Sequence, residues 1–200
     1  VELLRPVETL DWFGKRVLGL ALAMSSARDA TQLPQAEAAL RAALAEREDD
    51  PNLQLSLAQV LHRQGRTAEA EELVARLRRN RGGSPQLAAF HAGLLRQLGR
   101  PEEAVEVYAE CTAAEYTGGV DCRASLVELL VELDRPAEAG EAMLGWLTDS
   151  DLDQLLRAAS LLYEGGRPDE ALQTVERVLR VAPDSPRARD LEAFLLAQLG

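Results

Sequence analysis

Apolar residues return every three or four positions along most of this chain, and they do so in paired blocks. Leu57-Ala58-x-x-Leu61 is followed, across Gly65-Arg66, by Ala70, Val74 and Leu77. His91-Ala92-x-x-Leu95 pairs in the same way with Ala104, Tyr108 and Cys111, and Leu126-Val127-x-x-Leu130 with Ala139, Met143 and Trp146. A fourth pair joins Ala158-Ala159-x-x-Leu162 to Ala171, Val175 and Val178. A spacing of i, i+4, i+7 puts three side chains on one stripe of a 3.6-residue helix, so every block predicts an amphipathic helix.

Between the two members of each pair stands one phrase in four variants: Gly65-Arg66-Thr67-Ala68-Glu69-Ala70, Gly99-Arg100-Pro101-Glu102-Glu103-Ala104, Asp134-Arg135-Pro136-Ala137-Glu138-Ala139 and Gly166-Arg167-Pro168-Asp169-Glu170-Ala171. Their first residues are 34, 35 and 32 positions apart, a period that predicts stacked helical hairpins. Gly at the turn allows φ > 0 and ends the first helix. Pro suits the first turn of the second helix, where the missing N–H is no loss. The Glu stands in that same turn, favourable against the helix dipole, and the Ala is small because the two helices cross closely there.

The register extends to both ends. Glu37-Ala38 precedes Glu69-Ala70 by 32 positions, making Pro34 to Glu48 a second helix, and Gly200 falls 34 after Gly166. Eleven helices are expected. They divide into a divergent hairpin over 1–50 with a first helix (Leu10 to about Thr31) two turns longer than its peers, units over 51–84, 85–119, 120–151 and 152–185, and a lone first helix over 186–200. The unit from Val120 has a short second helix ending near Leu147, with Thr148-Asp149-Ser150 capping the next hairpin. The array runs out in mid-hairpin and the first residue is Val1, so the chain reads as a piece of a longer stack.

The pattern resembles the tetratricopeptide repeat family, W-x2-L-G-x2-Y followed by Ala, an aromatic, Ala and a closing Pro. The best copy is Leu155, Ala158-Ala159, Leu162, Gly166, Ala171, Val175, Val178 and Pro183. The leading Trp is missing throughout, Asp134 replaces a Gly, and Cys111 and Trp146 occupy a site that is usually small, so packing there should be looser or shifted. The resemblance implies an all-α, right-handed α-solenoid of antiparallel hairpins whose first helices line a concave groove for peptides. Carried over by register, that lining is Asn52, Leu55, Gln59 and His62, then Gln86, Ala89, Gly93 and Arg96. It continues with Asp121, Ala124, Glu128 and Val131, then Asp153, Leu156, Ser160 and Tyr163, and ends with Arg187, Asp190, Phe194 and Ala197. The Lys, Arg and Asn set with which some members clamp a terminal carboxylate is absent. The groove therefore implies a protein or peptide segment with apolar anchors and some positive charge.

Composition narrows the function. Hydrophobic residues make up 46% and aromatics 4%, a Leu, Ala and Val core suited to close helix packing. The net charge of −11 lacks the cationic surface that releases counterions from phosphates, so no nucleic-acid partner is expected. Nine acids against two bases lie between Val120 and Asp153, an acidic belt that either steers a basic partner or is a solvated face. Arg76, Arg78, Arg79 and Arg81 form a basic cluster, read as a complement to the helix C-terminus or as an anion site. Belt and cluster together could also support self-association. Arg supplies every base except Lys15, a usage that points to a GC-rich bacterial genome. No apolar run approaches the ~20 residues of a membrane span, and the compartment stays open between cytoplasm and periplasm.

Candidate chemistry is sparse. Cys111 and Cys122 flank the 112–121 segment and read either as a disulfide or as two small buried thiols. His62 and His91 lack the spacing of a metal pair, and His91 aligns with a core-facing Leu, so it is expected to be packed and hydrogen-bonded. No phosphate loop, nucleophile elbow or zinc-protease motif occurs, and neither an enzyme nor a cofactor is expected. The function expected is a non-catalytic protein–protein interaction scaffold. The alternatives are a structural module of a bacterial envelope or exopolysaccharide-secretion protein and, more weakly, a regulatory domain of a larger enzyme or transcription factor.

Overall fold

A computed structural model describes residues 7–26, 29–81, 84–113 and 122–199. All regular structure among them is helical: α1 (Trp12–Ser25), α2 (Leu33–Glu46), α3 (Pro51–Arg63), α4 (Thr67–Arg81), α5 (Pro85–Gln97), α6 (Pro101–Ala113), α7 (Cys122–Glu132), α8 (Pro136–Leu144), α9 (Leu152–Glu164), α10 (Pro168–Val181) and α11 (Pro186–Leu199). Two short 3-10 turns, Val7–Thr9 and Ala30–Gln32, accompany them. The fold is an all-α helical-repeat solenoid. The described residues fall into two compact units, one running to Val107 and one from Tyr108 onward.

The four phrases close their turns identically. Gly65, Gly99 and Gly166 have φ of 80°, 71° and 77°, and Asp134 joins them at 57°. With the chain turned left-handed at that residue, the next N–H reaches back five residues: Arg66 to Leu61 (2.9 Å), Arg100 to Leu95 (2.9 Å), Arg135 to Leu130 (2.9 Å) and Arg167 to Leu162 (2.8 Å). This is the Schellman closure, which satisfies a helix-end carbonyl that would otherwise be orphaned. Beyond the turn, Ala70, Ala104, Ala139 and Ala171 are each fully buried, as a close helix crossing requires.

In the first unit Leu40, Leu53, Val60, Leu61, Ala70, Val74 and Leu94 form one core shared by α2 to α5. In the second, Leu155, Leu162, Ala171, Val175, Val178 and Leu195 join α9, α10 and α11. Truncating a fully buried Leu of this kind to Ala removes roughly 2–5 kcal/mol. Gly165 ends α9 where a Cβ would stand 2.4 Å from the backbone nitrogen of Ala137, so that position admits no side chain without displacement.

Three expectations need correction. The first helix is not extended: α1 spans 14 residues, like α2, and stops at Ser25, where Ser25 and Ser26 hydroxyls donate to the Leu22 and Ala23 carbonyls and compete with the next turn. The short α8 ends at Leu144 instead of Leu147, with Trp146 beyond the helix in a turn under the Arg123 guanidinium, 5.5 Å away. The cap before α9 also runs the other way. Asp151 accepts hydrogen bonds from the Thr148 N–H (2.8 Å) and hydroxyl (2.6 Å), bracing the turn instead of receiving the helix N–H groups. Gly82-Gly83, Gly118-Gly119, Asp121 and Gly200 lie outside the described residues.

Candidate functional site

In the second unit, α9 and α11 enclose an open cavity of about 710 Å³. Each helix supplies the same spacing: Asp153, Leu156, Arg157 and Ser160 from α9, and Arg187, Asp190, Leu191 and Phe194 from α11. Positions i, i+3, i+4 and i+7 share one helix face, and the opposite face of α9 (Leu155, Ala158, Ala159, Leu162) is spent on the core. Leu156, only 7% exposed, forms part of the apolar floor. Phe194 remains 45% exposed and meets Tyr163 edge-on, with ring centroids 5.1 Å apart.

The rim is charged and balanced. Asp153 and Arg187 pair across the mouth at 2.8 Å, both well exposed, so the pair is weakly held and open to exchange. Arg157 and Asp190 have no ion-pair partner among the described residues. Two acids, Asp153 and Asp190, and two bases, Arg157 and Arg187, line the cavity, so its charged residues balance. The Ser160 hydroxyl donates to the Leu156 carbonyl (3.1 Å) within its own helix.

Six expected residues thus converge here: Asp153, Leu156, Ser160, Arg187, Asp190 and Phe194. Arg157 and Leu191 were missed, although each lies one residue from an expected position and completes its helical face. Also in this unit, Glu128 and Val131 are exposed on α7 but do not line the cavity, and Ala124 is exposed. In the first unit Asn52, Gln59, Gln86 and Arg96 are exposed, while Leu55, His62, Ala89 and Gly93 are half-buried. His62 packs edge-on against Phe90, with centroids 5.8 Å apart, and its Nδ1 is buried without a hydrogen-bond partner among the described residues. A separate cavity of about 350 Å³, lined by α2, α3 and α4 and floored by Leu44, Leu57 and Leu73, contains none of the expected groove residues, but Arg76 of the basic cluster lines it.

The remaining candidates resolve into structural roles. His91 is 7% exposed and bonded at both nitrogens. Arg78 Nη1 can only donate, so it bonds to Nδ1 (3.0 Å) and the ring proton sits on Nε2, which donates to Glu71 (3.1 Å). Burial, reinforced by the Arg78 charge and opposed by the Glu71 bond, holds the imidazole below its usual pKa. Arg78 is thus half-buried and bonded to His91, while Arg76 and Arg79 are exposed. Cys111 and Cys122 are joined in a disulfide with Cα atoms 6.1 Å apart. Much of the acidic belt is neutralised within the chain: Glu138 by Arg135, Glu141 by Arg167, Asp149 by Arg177 and Asp153 by Arg187. Among the described residues there is no cluster of three or more His, Cys, Asp or Glu that could hold a metal ion, and no helix long and apolar enough to cross a membrane.

Comparison with known proteins agrees with the hairpin geometry. Three tetratricopeptide repeat family profiles match, over residues 27–94, 88–116 and 156–200. Among solved structures, YrrB, described as a TPR protein with an unusual peptide-binding site, superposes with a TM-score of 0.56 at 14% identity, covering 92% of each chain. A tetratricopeptide repeat protein from Parabacteroides merdae gives 0.54 at 20% identity over 91% of this chain and 73% of its own. MamA gives 0.55 at 14% over 83% and 91%. No curated protein matches the sequence significantly. At these identities the likeness speaks for the fold alone, but the repeated Schellman turns, the buried crossing alanines and three matching profiles leave one assignment: the chain belongs to the tetratricopeptide repeat proteins, whose helical hairpins serve in general as scaffolds for protein–protein interaction.

Proposed function

We propose that this chain is a non-catalytic scaffold that holds a segment of a partner protein, with the cavity between α9 and α11 taking an apolar anchor of that segment. The observation that carries this reading is the half-exposed Phe194, set edge-on to Tyr163 over a floor that includes Leu156 and Leu191. An aromatic left half in water at the side of a cavity this size gains by being covered. The balanced rim suits a segment that places one acidic and one basic side chain beside the anchor.

The test is selection of binders from a displayed peptide library against the full chain, followed by calorimetric titration of the selected peptide. Phe194→Ala and Tyr163→Ala should each weaken it by at least tenfold, the scale of a central aromatic anchor. Unchanged affinity in both variants would move the binding site elsewhere.

The disulfide favours a second reading, an assembly module of an extracytoplasmic or secretion machine, because such bonds persist in oxidising compartments. Alkylation of the protein within intact cells distinguishes the two. Protected Cys111 and Cys122 support export, and labelled thiols support a reducing compartment.

A further inference from the structure

The cavity of about 350 Å³ in the first unit is built differently from the one between α9 and α11. Its walls come from α2 and α4, the second helices of successive hairpins, with α3 between them. From α3 it takes Gln54 and Leu57, which stand on the opposite face of that helix from Asn52, Leu55 and Gln59. The cavity therefore lies on the far side of α3 from the expected groove.

Leu44, Leu57 and Leu73 give it an apolar interior, and Gln54 is the exception. Gln54 is only 9% exposed. Its amide N–H donates to the Glu48 carbonyl, and its Oε1 has no partner among the described residues. Covering that oxygen with a purely apolar group would strand a buried acceptor, so whatever fills the cavity has to bring a donor. The rim is asymmetric. On α4, Arg76 is exposed and makes no ion pair or hydrogen bond among the described residues, whereas Arg41 of α2 is committed to Glu37 (2.8 Å) and Glu69 (3.7 Å). In the link from α2 to α3, Glu48 and Asp49 line the cavity as acids. One edge thus offers a free guanidinium, and another repels a second acid.

We infer that this cavity takes a tyrosine or tryptophan side chain from a segment of a partner protein, with the ring against the three leucines, its O–H or N–H donating to Gln54 Oε1, and a neighbouring acidic residue on Arg76. Both side chains join a large apolar ring to one polar hydrogen, the combination required here. The volume is at the small end for ligand sites and suits a single large side chain. The site is separate from the one around Phe194, and neither reading falls with the other.

A fully randomised displayed peptide library, panned on the full chain carrying Phe194→Ala to remove the aromatic of the other cavity, tests this. Enriched peptides should carry Tyr or Trp with an acidic residue on one side only, and the strongest binder is then titrated by calorimetry. Ala45→Phe, at an exposed position lining the cavity, should melt like the parent chain and weaken binding at least tenfold. If it melts early, Ala45→Met replaces it. Arg76→Ala should weaken binding about twofold to fivefold, and should not affect a peptide whose acid is already replaced by Ala. Exchanging the anchor for its donorless counterpart (Tyr for Phe, or Trp for naphthylalanine) should weaken binding about threefold to tenfold on the parent chain. The same exchange should change nothing on Gln54→Met, which removes the acceptor at nearly constant size. Enrichment of Phe or Leu without Tyr or Trp, no enrichment at all, or unchanged affinity in the Ala45 variant would overturn the proposal. So would an equal loss from the donorless anchor on the Gln54→Met chain.

Discussion

Arg66 Nη1 lies 2.7 Å from Glu37 Oε1, one hairpin upstream, while the Nε edge of the same guanidinium bonds Glu69, three residues ahead, at 2.6 Å. The arrangement recurs. Arg100 forks onto Glu103 and reaches Glu71 at 3.3 Å, and Arg167 joins Glu170 to Glu141. The Arg of the repeated phrase is therefore a staple between successive hairpins as well as a turn residue. Its partners respond: the Arg66 bond holds the Glu69 carboxyl below its ordinary value, and Arg41 and Arg66 do the same for Glu37 against a burial that would raise it. Both depressed values stabilise the fold above the ordinary glutamate pKa of 4.5, and that contribution is lost as pH falls through the folded values. Arg66→Ala should lower the melting temperature by no more than about 4 °C, because the pairs are partly exposed. The loss should shrink in high salt and vanish below the pH at which Glu37 and Glu69 protonate, readable by thermal melts in both series.

Asp134 adopts the left-handed conformation that Gly fills in the other three turns. A side chain there costs about 1–2 kcal/mol, less for Asp than for most residues. Asp134→Gly should stabilise the second unit by about 0.5–1 kcal/mol, measured as a shift in denaturant midpoint without a change in slope.

Gly165 makes the opposite case. Its φ is not the issue; a Cβ would meet Ala137 backbone atoms at 2.4 and 2.6 Å. Gly165→Ala should destabilise by about 1–3 kcal/mol, and a neutral result would show that the end of α9 can shift.

His91 has its pKa lowered by burial, so the unfolded chain binds a proton more readily than the folded one. Stability is full above the unfolded histidine value of 6.5 and declines as pH falls toward the folded value. The groups facing the ring are Glu71 and Arg78, with Arg100 bonded to Glu71 behind them. His91→Leu should flatten the melting curve against pH in this window, whatever it does to absolute stability.

Reducing the Cys111–Cys122 bond releases a constraint between residues 11 apart, worth about 2–3 kcal/mol by loop entropy. The denaturant midpoint should fall on adding reductant. Cys111→Ser should be destabilised to a similar degree and become indifferent to reductant.

The fold was legible because each repeated residue has a local cause: Gly65 for φ, Pro101 for the first helical turn, Ala70 for the crossing. Local chemistry does not reveal which acid an Arg meets one hairpin away, and Glu37, Glu71 and Glu141 carry no mark that would single them out. The length of α1 was misread because register alone does not show the Ser25 and Ser26 hydroxyls bonding back to the Leu22 and Ala23 carbonyls where the helix ends. The cavity was partly visible, since register alone placed Asp153, Leu156, Ser160, Arg187, Asp190 and Phe194. Arg157 and Leu191 escaped because a family position lists fewer residues than a helix face exposes. Apart from Arg135 on Glu138, the neutralisation of the acidic belt depends on Arg167, Arg177 and Arg187, all beyond the belt in sequence, and composition alone hides it.

The four turn closures also bear on how the chain reaches its fold. Each is a bond between residues five apart, and each fork within a phrase spans three. Little loop entropy must be lost before such contacts form, so a hairpin can assemble without waiting for distant segments. Folding of this chain is then limited by how quickly one hairpin forms and recruits the next, and adding hairpins should lengthen the molecule while scarcely slowing its first step.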